Sequence, residues 1–155
     1  MDKIVFITGA SSGIGAGCAR KFASQGASLI LNARNVNKLS ALKEELEKQY
    51  GAKIYLLPFD VRDRKAATSA LESLPKEWQS IDILVNNAGL VIGTDKEQEG
   101  SLDEWDIVID TNIKALLAMT RLIVPGMVER KRGHIINIGS IAGDAAYPGG
   151  SVYCA

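Results

Sequence analysis

The chain has 155 residues, 46% of them hydrophobic, and its acidic and basic side chains balance to a formal net charge of zero, as in one globular domain with a sizeable core. That neutrality, with no basic block, excludes an electrostatic footprint for nucleic acid or an anionic membrane, and no apolar run approaches the length of a membrane span. Cys18 and Cys154 lie in no C-x-x-C or Cys/His cluster, so neither a disulfide framework nor a metal site is expected, and an amino terminus running straight into a strand pattern predicts a cytoplasmic protein.

Lys3 to Thr8 is short, β-branched and continuously apolar, as a strand buried on both faces must be. It empties into Thr8-Gly9-Ala10-Ser11-Ser12-Gly13-Ile14-Gly15, and a helical pattern follows with Ile14, Cys18 and Phe22 on one face. A helix opening on glycines leaves its first backbone N–H groups and its positive dipole end free for a pyrophosphate. A Cβ at Gly9 or Gly13 would stand where the chain turns or a phosphate approaches, and Gly15 would let the helix pack close to the strand. The spacing is G-x-x-x-G-x-G, and the bare alternative is a structural turn.

Further apolar runs at Ser28 to Ala33, Lys53 to Phe59, Ile81 to Asn86 and His134 to Ile138 alternate with helical patterns. Such alternation predicts an α/β fold: a Rossmann-type doubly wound parallel sheet with helices on both faces. Gly26 and Gly51 close the first two helices; the second carries Leu39, Leu42, Leu46 and Tyr50 on its apolar face and Lys38, Lys43, Glu44, Glu47 and Lys48 outward. Pro58 would break a central ladder, which puts the third strand at an edge, as in the strand order 3-2-1-4-5.

Asp63 is placed to cap a short third helix ending near Pro75, and the fourth run leads into a second glycine turn, Asn86-Asn87-Ala88-Gly89. Leu90 to Gly100 reads as a loop at the carboxyl edge of the sheet. Ser101 and Glu104 form a capping box for a long helix carrying Trp105, Val108, Ile109, Leu116 and Met119, with Pro125 and Gly126 expected to kink or loosen its last turns. His134, the only histidine, starts a strand on the edge away from the ligand side, so a structural place suits it better than a catalytic one. The last run empties into Gly139-Ser140, and the chain closes on Tyr153-Cys154-Ala155.

With these motifs in order the chain resembles the short-chain dehydrogenase/reductase family over its whole length, from Thr8-Gly-x-x-x-Gly-x-Gly15 through Asn86-Asn-Ala-Gly89 to Ser140 and Tyr153. The text around Ile81 to Leu90, Pro125 to Arg130 and Gly133 to Ser140 is similar to that family's NADP-dependent 3-hydroxy acid (serine or allo-threonine) dehydrogenases. The resemblance implies one cofactor-binding domain over residues 1–155 and an enzyme that moves a hydride between NADP(H) and a small secondary alcohol or ketone. A 3-hydroxy acid is the expected substrate. A carbonyl reductase acting on a 3-oxoacyl thioester or a sugar would share every motif, and a dinucleotide-binding protein without catalysis would need only the glycine turn.

The end of the second strand indicates which cofactor. An NAD site places an acid about 20 residues past the glycine loop. Here Asn32-Ala33-Arg34 stands there, and no acid appears between Gly15 and Glu44. Ala33 leaves room for a 2′-phosphate and Arg34 can pair with it, the alternative being a surface arginine in a turn. The resemblance assigns Gly9, Ser11, Ser12, Gly13, Ile14, Gly15, Arg34, Asp60, Val61, Asn87, Ala88, Gly89 and Tyr153 to NADP, with Asp60 and Val61 at adenine and Asn87 to Gly89 near its ribose. Asp60 has a plainer alternative in satisfying a turn.

The resemblance also makes Tyr153 the general acid/base, Ser140 the hydroxyl that positions the substrate oxygen, and Asn112 the holder of a water in a proton relay. A phenol ordinarily titrates near 10, so as a base at neutral pH it needs nearby positive charge. In the family a lysine one helical turn on supplies it, which falls just beyond Ala155. As written, the chain is therefore expected to bind the adenine half of NADP with little or no turnover, as part of a longer enzyme forming dimers or tetramers. Structural alternatives are a turn for Ser140 and, for Asn112, a bond to its own helix backbone.

Overall fold

The computed structural model describes residues 3–155. Strands β1 (Ile4–Ile7), β2 (Ser28–Leu31), β3 (Ile54–Leu56), β4 (Ile81–Asn86) and β5 (His134–Asn137) form one parallel sheet in the order β3-β2-β1-β4-β5. Helices α1 (Gly13–Ser24), α2 (Val36–Tyr50), α3 (Arg64–Glu72), α4 (Leu102–Ile109), α5 (Ala115–Glu129) and the short α6 (Ser151–Cys154) accompany it. β1 and β2 register Ile4 on Ser28 through Ile7 on Leu31, and β1 pairs β4 on its other side.

Strand alternation divides the core into two layers. Val5, Ile7, Leu29 and Leu31 pack against α1 and α2 through Ala16, Ala19, Leu39, Leu42 and Leu46. Phe6, Ile30 and Leu84 face the other way, against Ala67 of α3 and Ala115, Met119, Ile123 and Met127 of α5. Burying both faces explains why the central strands read as unbroken apolar runs. Each large aliphatic side chain taken out of water contributes about 1.5–3 kcal/mol.

β4 matches its apolar run, and the other four strands are shorter than theirs, although Thr8, Asn32, Leu57 and Ile138 just past them still donate to the neighbouring strand. β3 is the edge strand expected, but Pro58 lies beyond it, outside the ladder, so the proline is not what puts β3 there. The expected apolar face of α1 is corrected. Gly15, Ala16, Ala19 and Ala23 are its buried residues; Cys18 and Phe22 pack at the margin, and Ile14 is 61% exposed at the mouth of the glycine turn. Small side chains let a helix come close to a sheet, an advantage that a search for large apolar residues does not register. On α2, Leu39, Leu42 and Leu46 are buried as expected, whereas Tyr50, the last residue of the helix, is exposed.

Asn35, Asp63 and Ser101 cap α2, α3 and α4, each accepting from the backbone N–H three residues on. Gly51 ends α2 in the left-handed conformation. The long helix is continuous from Leu102 to Glu129 and passes through Pro125; its departure from α geometry is a π turn at Asp110–Lys114, where Ala115 N–H donates to Asp110 C=O. The irregularity thus falls at Asn112, where the sequence gives no Pro or Gly to announce it.

At the amino edge of the sheet, away from the glycine turns, buried Asp82 accepts from Ile4 N–H at 3.0 Å and lies 2.8 Å from the Arg132 guanidinium, an ionic approach outside hydrogen-bond angles. Among the described residues no helix is long and apolar enough to cross a membrane.

Candidate active site

The glycine turn and the Asn86-to-Gly89 turn leave adjacent strands at the carboxyl edge and are fastened to each other. Thr8 Oγ1 accepts from the backbone N–H groups of Asn87 (3.0 Å) and Ala88 (2.9 Å). In return, the Asn87 side-chain amide donates to the carbonyls of Thr8 (2.9 Å) and Gly9 (3.1 Å). The two turns therefore hold one shape through four hydrogen bonds between residues 78 to 80 positions apart.

Close approach explains Gly15, and a positive φ explains Gly13. A Cβ on Gly15 would stand 2.4 Å from the Gly9 carbonyl oxygen and 2.5 Å from the Asn87 amide nitrogen, so this glycine admits the turn and its brace more than the strand. Gly13 has φ +53° with nothing within 4 Å of where its Cβ would be, so its side faces open space. Ser12 precedes α1 without making a side-chain cap. The α1 amino terminus is thus left for an external acceptor, and the residues present fit a pyrophosphate there.

Beyond β2, Arg34 is 68% exposed on its side chain and its Nη1 lies 3.9 Å from Asp60 Oδ2. Asp60 has a closer partner that the sequence reading missed. Arg62 donates from Nη2 at 2.7 Å to Oδ2 and from Nε to both carboxylate oxygens, and its backbone N–H donates to Oδ1 at 3.0 Å. Asp60 therefore does close a turn. The available signal was an arginine two residues past an acid at a strand end, near enough for a local turn to join the two side chains. Val61, between them, is buried in the second core layer.

The hydrogen-bonded Arg62 guanidinium holds the Asp60 carboxyl below the usual carboxylate range, against the opposing effect of burial. Because the folded value is depressed, the pair's stabilisation is present above the unfolded value near 4 and disappears as acid protonates Asp60 below it. With both side chains about one-third exposed, the contribution is about 1 kcal/mol or less. Urea unfolding of wild type and Asp60→Asn should show a constant difference from pH 5 to 7 that shrinks below about pH 4.

Asn112, in the π turn, gives both ends of its amide to the backbone of Leu90: Oδ1 accepts from N–H at 2.9 Å and Nδ2 donates to C=O at 2.8 Å. Its side chain thus clamps the chain just past Gly89, a distant backbone and not that of its own helix. Asn86 reaches inward, donating to Thr120 Oγ1 and Asn137 Oδ1, each at 2.9 Å, which ties β4 to α5 and β5.

Ser140 follows β5, is exposed, and accepts from Ala142 N–H at 3.2 Å, so it makes the turn that serines at strand ends often make while keeping its own O–H to donate. Tyr153 sits on α6, which touches the Ile141–Gly143 turn and α4. It borders a shallow cleft with Gly93, Ser101, Glu104 and Trp105; neither Ser140 nor Asn112 lines that cleft. Ser140 and Tyr153 stand on neighbouring elements without a hydrogen bond between their hydroxyls.

The family model described as short chain dehydrogenase matches residues 3–155. The chain is 49% identical over 150 residues to the NADP-dependent 3-hydroxy acid dehydrogenase YdfG of Escherichia coli strain K12, covering 97% of this chain and 59% of that protein. Among solved structures, serine dehydrogenase from Escherichia coli superposes with a TM-score of 0.91 at 49% identity, over 97% of this chain and 68% of that one. The closed form of serine dehydrogenase complexed with NADP+ gives 0.90 at 48% identity, over 97% and 59%. The chain spans about 59% of the length of the curated relatives it matches. A family match across the described residues, a parallel sheet ordered 3-2-1-4-5 and a glycine turn at its carboxyl edge converge: the chain belongs to the short-chain dehydrogenase family.

Proposed function

We propose that residues 1–155 form one dinucleotide-binding unit of an NADP-dependent oxidoreductase that interconverts a small secondary alcohol, a 3-hydroxy acid such as serine, with its ketone. The observation that carries this reading is the carboxyl edge itself: an uncapped α1 amino terminus facing open space, with an exposed guanidinium at the end of the next strand. The relatives named for NADP and for 3-hydroxy acids or serine support the same reading.

In it, the backbone N–H groups from Ser12 to Gly15 hold the pyrophosphate, Arg34 pairs with the 2′-phosphate, and Ala88 and Gly89 border the adenosine. Bound NADP supplies or accepts the hydride. Ser140 donates its hydroxyl hydrogen to the substrate oxygen, and Tyr153 takes or returns the proton on that oxygen. Asn112 fixes the Leu90 backbone and so the wall along which the substrate lies. Ile113, Leu117 and Val128 expose apolar side chains along the long helix, which supports assembly with further copies.

Titration with NADPH and NADH tests the cofactor. Tighter binding of NADPH by about tenfold or more is expected, since a charge-assisted bond to a phosphate is worth about 1.5–3 kcal/mol. A preference for NADH would overturn the reading. Oxidation of L-serine or 3-hydroxybutyrate with NADP would support the narrower substrate, and reduction of unrelated ketones with neither acid oxidised would reject it.

A further inference from the structure

Three charges lie together past the ends of β2 and β3, and they are not equally committed. Asp60 is held by Arg62 through side-chain bonds as short as 2.7 Å, while Arg34 approaches the same carboxylate only to 3.9 Å and stays largely exposed. The remaining acid that acts on Arg62, Asp110, has its own partner in Lys114 at 2.7 Å. Arg62 thus leaves the Arg34–Asp60–Arg62 group with one net positive charge, and that charge is carried by the loosely held Arg34.

We infer that Arg62 is a specificity-determining residue: by occupying Asp60 it keeps Arg34 available to the 2′-phosphate and prevents this acid from acting as an NAD-type carboxylate. This rests on the NADP reading above. Without Arg62, Asp60 would be a bare carboxylate within 4 Å of Arg34, and at that range opposite charges pair. The guanidinium would then turn to Asp60, the local charge would fall to zero, and an unpaired acid would oppose an incoming phosphate. Arg62 works through Asp60 and Arg34, so it is a positioning residue.

The test is calorimetric titration of the chain with 2′-phospho-ADP-ribose and ADP-ribose, which differ only in the 2′-phosphate and need no nicotinamide site. The readout is the ratio of their affinities in wild type, Arg62→Met, Arg62→Lys, Asp60→Asn, the double variant Asp60→Asn/Arg62→Met, and Arg34→Ala. In Arg62→Met the phosphorylated ligand should weaken by about tenfold or more while ADP-ribose changes less than about twofold, as expected for loss of one close charge pairing. Arg62→Lys should keep much of the preference, Asp60→Asn should keep or raise it, and the double variant should restore it. Equal weakening of both ligands, an unchanged ratio in Arg62→Met, or no restoration in the double variant would overturn the inference. Should Arg62→Met fail to fold, Asp60→Asn decides, because a lowered ratio there would also overturn it. Failure of the underlying reading looks different: Arg34→Ala would keep the wild-type ratio, or wild type would bind neither ligand.

Discussion

Replacing Tyr153 with phenylalanine should lower hydride-transfer turnover by about 10²- to 10⁴-fold, the range supplied by a positioned general acid or base. The change removes one oxygen and leaves the ring against the cleft bordered by Trp105 and Glu104. Affinity for 2′-phospho-ADP-ribose should be unchanged, because the glycine turn and the Asn87 brace lie on other elements. Since the chain spans about 59% of the length of its curated relatives, turnover is compared in protein of the relatives' full length. Near-normal turnover there would refute Tyr153 as the proton carrier. A parallel loss of cofactor affinity would move its role from proton transfer to binding.

Gly15→Ala should abolish or severely weaken binding of both dinucleotide halves and destabilise the fold by about 1–3 kcal/mol, the usual cost of forcing a methyl group into packed surroundings. The added carbon would lie 2.4 Å from the Gly9 carbonyl oxygen and 2.5 Å from the Asn87 amide, so loop and brace would have to separate. Gly17→Ala is the control, because it sits on the same helix with nothing within 4 Å of its Cβ position. It should be neutral or mildly stabilising, since alanine is the better helix former by up to about 1 kcal/mol. Equal behaviour of the two variants in urea unfolding and in ligand titration would remove the close-packing explanation.

The architecture was legible because its signals are local and repeat. β-branched runs, glycine turns and caps at Asp63 and Ser101 each act within a few residues, whereas the cap at Asn35 went unread. The reading failed where tertiary contact decides. Ile14 has the spacing of a core residue yet is exposed, because the small residues Gly15, Ala16 and Ala19 bring α1 onto the sheet. The π turn at Asn112 carries no breaker residue; its asparagine meets Leu90, 22 positions away, which spacing along the chain does not encode.

For the site, the sequence located the residues better than it described their work. Asn87 and Thr8 were read toward a ligand, and in the fold their side chains are spent on each other's backbones. Asp60 was read toward adenine, and its carboxylate is occupied by an arginine that no motif singles out. In each case the partner is a backbone group or a neighbour in an irregular turn, where no periodicity exists to be read.

The brace between Thr8 and Asn87 also bears on the order in which the chain acquires its shape. The glycine turn belongs to the first fifteen residues, but the groups that hold it arrive with β4, so the early βαβ segment cannot finish its own phosphate-facing loop. Loop closure over that length must precede the last bonds of the cradle. Slow exchange of the Asn87 and Ala88 amide hydrogens would then report on whole-sheet opening more than on local fraying, making the most ligand-facing turn a gauge of global stability.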